Sequence, residues 1–225
     1  MSNYRDVLFS RRSDFVANMG NSLAVAGSST FLVLTAGTLA AYSLQRFRWS
    51  GALRNALLAW TIGFHAVPVL ALLGPWYLAF QKLGLYDTRT ALVLVHITLN
   101  LPMTIWLMMA FFKDIPRELE EAAVVDGCRR MEAFWRISLP LAAPGLVAAG
   151  VLAFVFSWNE FAVALNLTSS ATATVPVAIA RFAQQYEIQH GQMAAASMLS
   201  AIPAILLMAF GQRFVVRGLT LGALK

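Results

Sequence analysis

Five stretches of the chain run without a single Asp, Glu, Lys or Arg: Phe15–Gln45, Asn55–Gln81, Thr90–Phe112, Ile137–Asn159 and Ile188–Gln212. Each exceeds the roughly 20 apolar residues that a bilayer-crossing helix needs. They are continuously apolar rather than alternating, which excludes a membrane barrel. A sixth uncharged run, Phe161–Ala180, contains Thr168-Ser-Ser-Ala-Thr-Ala-Thr174 and Pro176, and reads as a polar external loop. The pattern predicts an all-α membrane protein, a polytopic bundle of about five transmembrane helices.

Composition agrees. Of 225 residues, 59% are hydrophobic and only 12% charged, with a mean hydropathy of +0.65. A soluble domain carries about 25% charged residues, so a soluble enzyme, a disordered tail and a secreted scaffold are excluded. Cys128 is the only cysteine, so neither an internal disulfide nor a paired-cysteine metal site is expected. The +6 net charge resides in the connections, which points to membrane topology rather than to nucleic acid. Eleven Lys and Arg residues fall on one side: Arg46, Arg48, Arg54, Lys113, Arg117, Arg129, Arg130, Arg136, Arg213, Arg217 and Lys225. Six fall on the other: Arg5, Arg11, Arg12, Lys82, Arg89 and Arg181. The eleven-residue side is predicted to be cytoplasmic, together with the C-terminus. Residues 1–225 then form one membrane domain of a cell-membrane protein, with a cytoplasmic loop at 113–139 and a cytoplasmic tail at 213–225. The N-terminus falls outside, although residues 1–14 show no export signal. An additional helix before residue 1 would resolve this.

The 113–139 loop is the richest in chemistry, holding six of the eleven acids and five of the seventeen bases. Pro116 suits a first helical turn, Glu118, Glu120 and Glu121 favour its positive end, and Gly127 suits its stop. Leu119, Ala122, Ala123 and Asp126 share one face by spacing, with two alanines allowing close approach by another surface. Phe134, Trp135 and Ile137 would return the chain to the membrane before Pro140 opens the next span. On composition alone the same segment reads equally as a solvated amphipathic loop.

Glu121-Ala-Ala-x-x-Asp-Gly127, followed after nine residues by Ile137-x-Leu-Pro140, resembles the signature loop of binding-protein-dependent ABC importer permeases. Tyr42 with Arg46-Phe47-Arg48, Ser157-Trp-Asn-Glu-Phe161 and Arg217-Gly-Leu-Thr-Leu-Gly-Ala-Leu-Lys225 resemble that family's carbohydrate branch, whose members usually have six spans. The resemblance implies the permease core of a type I importer, half of a pathway shared with a second, homologous permease in a heterodimer. Two ATP-binding subunits would dock beneath, and an extracytoplasmic solute-binding protein would deliver a sugar or related solute. Glu121, Ala122, Ala123, Asp126, Gly127, Ile137 and Pro140 would couple to the ATPase, the loop helix sitting in its cleft. Gly218, Leu219, Thr220 and Gly222 of the tail would touch it too. ATP and magnesium would belong to those partners. The chain has no Gly-x-x-x-x-Gly-Lys-Ser/Thr loop, and none of its three lysines follows a glycine. No cofactor or metal of its own is expected, and no catalytic set emerges.

Asn100, Trp158, Asn159 and Glu160 are the candidate solute path. Glu160 adjoins the outer end of the Ile137–Asn159 run, and an intramembrane carboxylate suggests a sugar contact or a proton relay. A hydrated interfacial carboxylate or a structural pair fits its end position as well. A proton-coupled secondary transporter using Glu160 and a histidine is the competing function, and a non-transporting scaffold a third. His65 and His96 have no acidic neighbour in sequence and read as packed structural histidines. Trp76, Tyr77 and Trp158 read as interfacial belt residues.

Overall fold

The computed structural model describes residues 2–10, 13–182 and 190–222, with backbone alone at residue 2 and over residues 213–222. Helix α1 spans Ser2–Phe9 and α2 spans Phe15–Arg46, an unbroken 32 residues without proline. Helix α3 (Gly51–Ala66) starts where the Ser50 hydroxyl accepts the Leu53 N–H at 3.3 Å. Helix α4 (Val69–Lys82) follows at a bend of 98°. The run Asn55–Gln81, expected as one span, is therefore broken. Pro68 has no N–H to continue the ladder and holds Val67 extended at φ −76°, ψ 123°.

Helix α5 (Arg89–Asp114) is capped by the Thr88 hydroxyl, which accepts from Ala91 N–H. Half of its most apolar window is buried, against 33% for α2 and 11% for the last helix, so α5 lies at the centre. Three short helices follow: α6 (Arg117–Val125), α7 (Arg130–Ala133) and, after a π-helical turn at Phe134–Ser138, α8 (Leu139–Leu141). Helix α9 (Ala143–Asn159) then leaves at a bend of 73°. The span expected from Ile137 thus begins at Ala143 with Pro144 in its first turn, while Pro140 lies in α8.

The Phe161–Ala180 run is not the polar loop its threonines suggest. It folds into α10 (Ala162–Leu167) and α11 (Val175–Arg181), which bury Val163, Ala164, Leu167, Val175 and Val177 against α2, α4 and α5. Helix α12 runs His190–Gly222. Among the described residues three helices are long and apolar enough to cross a membrane, and each bent pair counted as one span makes five.

Two apolar clusters mark the ends of the bundle. Tyr42, Met108, Phe112, Ile115 and Phe134 pack where α2 and α5 finish; Val25, Leu92, Val95, Val163 and Leu167 pack where α5 begins. Helix α1 joins the second end through buried Val7, against Phe15, Val175 and Ala196. The fold therefore sends the 113–139 loop and Arg46 to one end and α1, Lys82–Arg89 and α10–α11 to the other, as the charge count requires.

Candidate coupling site and solute cleft

Helix α6 ends in a hydrogen-bonded stop. Gly127 adopts φ +92°, its N–H donates to Val124 O at 3.1 Å, and Cys128 N–H donates to Ala123 O at 2.9 Å. These two bonds satisfy the last carbonyls of the helix and require a residue that tolerates positive φ. Asp126 is the C-cap. Ala123 is buried, whereas Glu121 and Ala122 are exposed, so the paired alanines straddle the helix rather than forming one approach face. Val125 is 86% exposed and Leu119 44%.

Glu120, rather than its neighbour Glu121, holds α6 to the spans. Its carboxylate pairs with Arg46 Nε at 2.7 Å and accepts from Tyr42 OH at 2.9 Å and Ser138 Oγ at 2.6 Å. Arg46 also donates to Ile115 O at 2.8 Å, and Arg117 donates to Gln45 O at 2.8 Å. One carboxylate thus joins α2, α6 and the π-helical turn, with side-chain exposures of 8% for Arg46 and 13% for Glu120. The sequence carried a signal for this: Tyr42 and Arg46 are four apart, on one face at a helix end. Ile137 lies half-buried in the π-helical turn, and Pro140 is exposed. The backbone of Gly218, Leu219, Thr220 and Gly222 continues α12, while their side chains, and residues 223–225, lie outside the described part.

The candidate solute residues divide. Asn100 and Glu160 line a cleft of 310 Å³ with His65, His96, Ser157 and the rings of Phe64 and Phe156. Asn100 Nδ2 donates to His96 O at 2.9 Å and to Ser157 Oγ at 3.3 Å. Glu160 accepts the N–H groups of Val163 and Ala164, opening α10, and lies 3.9 Å from His96 Nε2. His96 thus has the acidic neighbour its sequence context lacked. Its ring is 1% exposed, and neither nitrogen has a hydrogen-bond partner among the described residues. Trp158 and Asn159 line a separate cavity of 400 Å³. Trp158 is not a belt residue: it is 3% exposed, stacked on Phe154, with its indole N–H on Ser200 O at 3.1 Å. Asn159 donates back to Val155 O in its own helix.

Broken apolar helices around a cleft that holds a few polar groups, with a short helix slung from the basic end, define a multi-span membrane protein. Residues 33–220, most of the chain, match the family described as binding-protein-dependent transport system inner membrane component, and the chain belongs to it. It is 38% identical to the trehalose transport system permease protein SugB of Mycobacterium tuberculosis, over 99% of this chain and 81% of that protein. It is 35% identical to the trehalose/maltose transport system permease protein MalG of Thermococcus litoralis, over 100% and 81%. Solved structures share the fold. A bacterial ABC transporter that imports the acidic polysaccharide alginate gives a TM-score of 0.80 at 23% identity, over 95% of this chain and 79% of that one. The MetNI methionine ABC transporter gives 0.70 at 21%, over 90% and 95%. The motif-based resemblance to the permeases of carbohydrate ABC importers is borne out, and the chain is an integral component of the inner membrane.

Proposed function

We propose that this chain is one permease subunit of an ATP-driven importer of a sugar or related solute, paired with a second, homologous permease. Two ATP-binding subunits dock beneath the permease pair, one of them on α6, and supply ATP and magnesium, and an external solute-binding protein delivers the cargo. The observation that carries this reading is the fastening of α6: a helix too short to be stable alone is held to α2 and the π-helical turn by one carboxylate, while Glu121, Ala122 and Val125 face outward. Movement of a docked ATPase would then reach the spans as rigid-body rocking. On this reading the α6 end and the C-terminus are cytoplasmic, with Gly218, Leu219, Thr220 and Gly222 close to the ATPase. Asp126, Gly127, Ile137 and Pro140 shape the docking segment.

The cleft around Asn100, Ser157 and Glu160 offers hydrogen-bond groups beside apolar ring faces, which suits a polyhydroxylated solute. The proton-coupled alternative gives Glu160 a relay role, yet its carboxylate is engaged by two backbone amides and the family membership favours the importer. Reconstituted complex loaded with labelled trehalose or maltose separates the two. Disabling the partner's ATP site abolishes uptake in an importer. Uptake that survives and follows the proton gradient would overturn this reading.

A further inference from the structure

Helix α2 carries a fastening at each end, and the outer one has no place in the scheme above. Asn21, in the second turn of α2, is 2% exposed. Its amide N–H groups donate to Ala171 O at 3.1 Å and Ala173 O at 3.0 Å, and its oxygen accepts from Arg89 Nε at 2.9 Å. The neighbouring Ser22 hydroxyl accepts the Val175 N–H at 2.8 Å. From the other side, Asp87 accepts the Ser169 N–H at 2.8 Å and the hydroxyls of Ser169 and Thr172. Asp87 sits at φ +57° while its own N–H donates to Leu167 O at 3.1 Å. Arg181 donates to Ser169 O at 3.1 Å.

The segment 168–174 is thus tied on three sides, while Ser169, Ser170 and Ala171 stay exposed at its tip. A buried amide that loses such partners is left unpaired at high cost, so the segment cannot shift far without α2. From Asn21 to Arg46 the helix is unbroken, about 37 Å at 1.5 Å per residue. At its far end lie Tyr42 and Arg46, bound to Glu120 of α6. Helix α5 runs beside α2 from Arg89 to Asp114, just before α6, whereas the α3–α4 pair bends by 98° and the α7–α9 stretch by 73°.

We infer that Asn21, Asp87 and Arg89 are positioning residues that lock the exposed 168–172 tip to the joined outer ends of α2 and α5, making these two packed helices the rods by which contact at the outer face reaches α6. The contact is docking of the solute-binding protein, so the inference rests on the importer reading. It concerns transmission between two faces, and only coupling data establish such a route.

The test uses the complete reconstituted complex with its solute-loaded binding protein, comparing basal with binding-protein-stimulated ATP hydrolysis. Asp87→Gly keeps the positive φ and removes the carboxylate; Asn21→Leu removes both amide partners at similar volume; Asp87→Asn keeps an acceptor. In the first two variants basal hydrolysis should stay within about twofold of wild type while stimulation falls about tenfold, and Asp87→Asn should retain most of it. Asp87 lies in an outer loop, so its variants decide the matter even where Asn21→Leu disturbs insertion. Unchanged stimulation, or an equal fall in both rates, would overturn the inference. A wild-type complex that no binding protein stimulates would instead overturn the importer reading.

Discussion

Arg46 Nε and Glu120 Oε1 lie 2.7 Å apart, joining the last residue of α2 to the middle of α6 across 74 positions of sequence. Both side chains are largely shielded, so the pair acts with little screening by solvent, and Tyr42 and Ser138 supply two further bonds to the same carboxylate.

Removing those helpers singly grades the fastening. Tyr42→Phe deletes one hydrogen bond to a charged group and should cost about 1.5–3 kcal/mol. The ring's packing on Phe112 and Phe134 is retained. Thermal unfolding of the purified complex in detergent measures it, and an unchanged midpoint would show that the hydroxyl adds nothing.

Glu121 behaves differently from Glu120. It is exposed and forms no ion pair with the described residues. Glu121→Lys should therefore alter the chain's own stability by only about 0–1 kcal/mol. It should nevertheless weaken co-purification of the ATP-binding subunits, whose surface it faces in the proposed assembly. Co-purification at wild-type yield would remove Glu121 from the docking surface.

Gly127→Asp probes the helix stop. A Cβ at Gly127 meets nothing within 4 Å, so the penalty is backbone strain at φ +92° and not a clash. A cost of about 1–3 kcal/mol is expected, giving a complex that assembles but imports poorly. Uptake and assembly measured on one preparation check this.

The outer latch should respond to acid. Burial pushes the Asp87 carboxyl up, but hydrogen bonds from Ser169 and Thr172 outweigh this and hold it below its ordinary value. Because the folded value is depressed, the contribution is complete above about pH 4, the unfolded value, and is lost as pH falls through the folded one. Hydrogen exchange at the Ser169 amide, corrected for its intrinsic rate, should lose protection only in that acid range. Loss of protection already at neutral pH would contradict the latch.

Much of this was legible in the chain. Charge-free length gave the spans, because a bilayer leaves no freedom in it, and the Pro116-to-Gly127 helix emerged from local stop chemistry. Pro68 stood in plain view inside an apolar run, yet sequence could not say whether the helix would kink or fold back by 98°. Glu120 and Glu121 are adjacent and chemically alike; only the helix phase, set by contact with α2, sends one inward. His96 and Glu160, Asp87 and Ser169, and Asn21 and Ala171 lie far apart in sequence, up to 150 positions for the last pair. Such pairs have no local periodicity to betray them. The threonine-rich 168–174 segment misled for the same reason: the hydroxyls of Ser169 and Thr172 and the carbonyls of Ala171 and Ala173 are satisfied by the distant side chains of Asp87 and Asn21.

Sugar molecules imported per ATP hydrolysed, in vesicles holding the complete complex with Glu120→Ala, test the coupling role of α6 most directly. Leaving Arg46 without its partner should loosen α6 from α2 by about 2–5 kcal/mol. The account predicts that the ATP-binding subunits still bind and hydrolyse ATP while the ratio falls at least about tenfold. A wild-type ratio would contradict it.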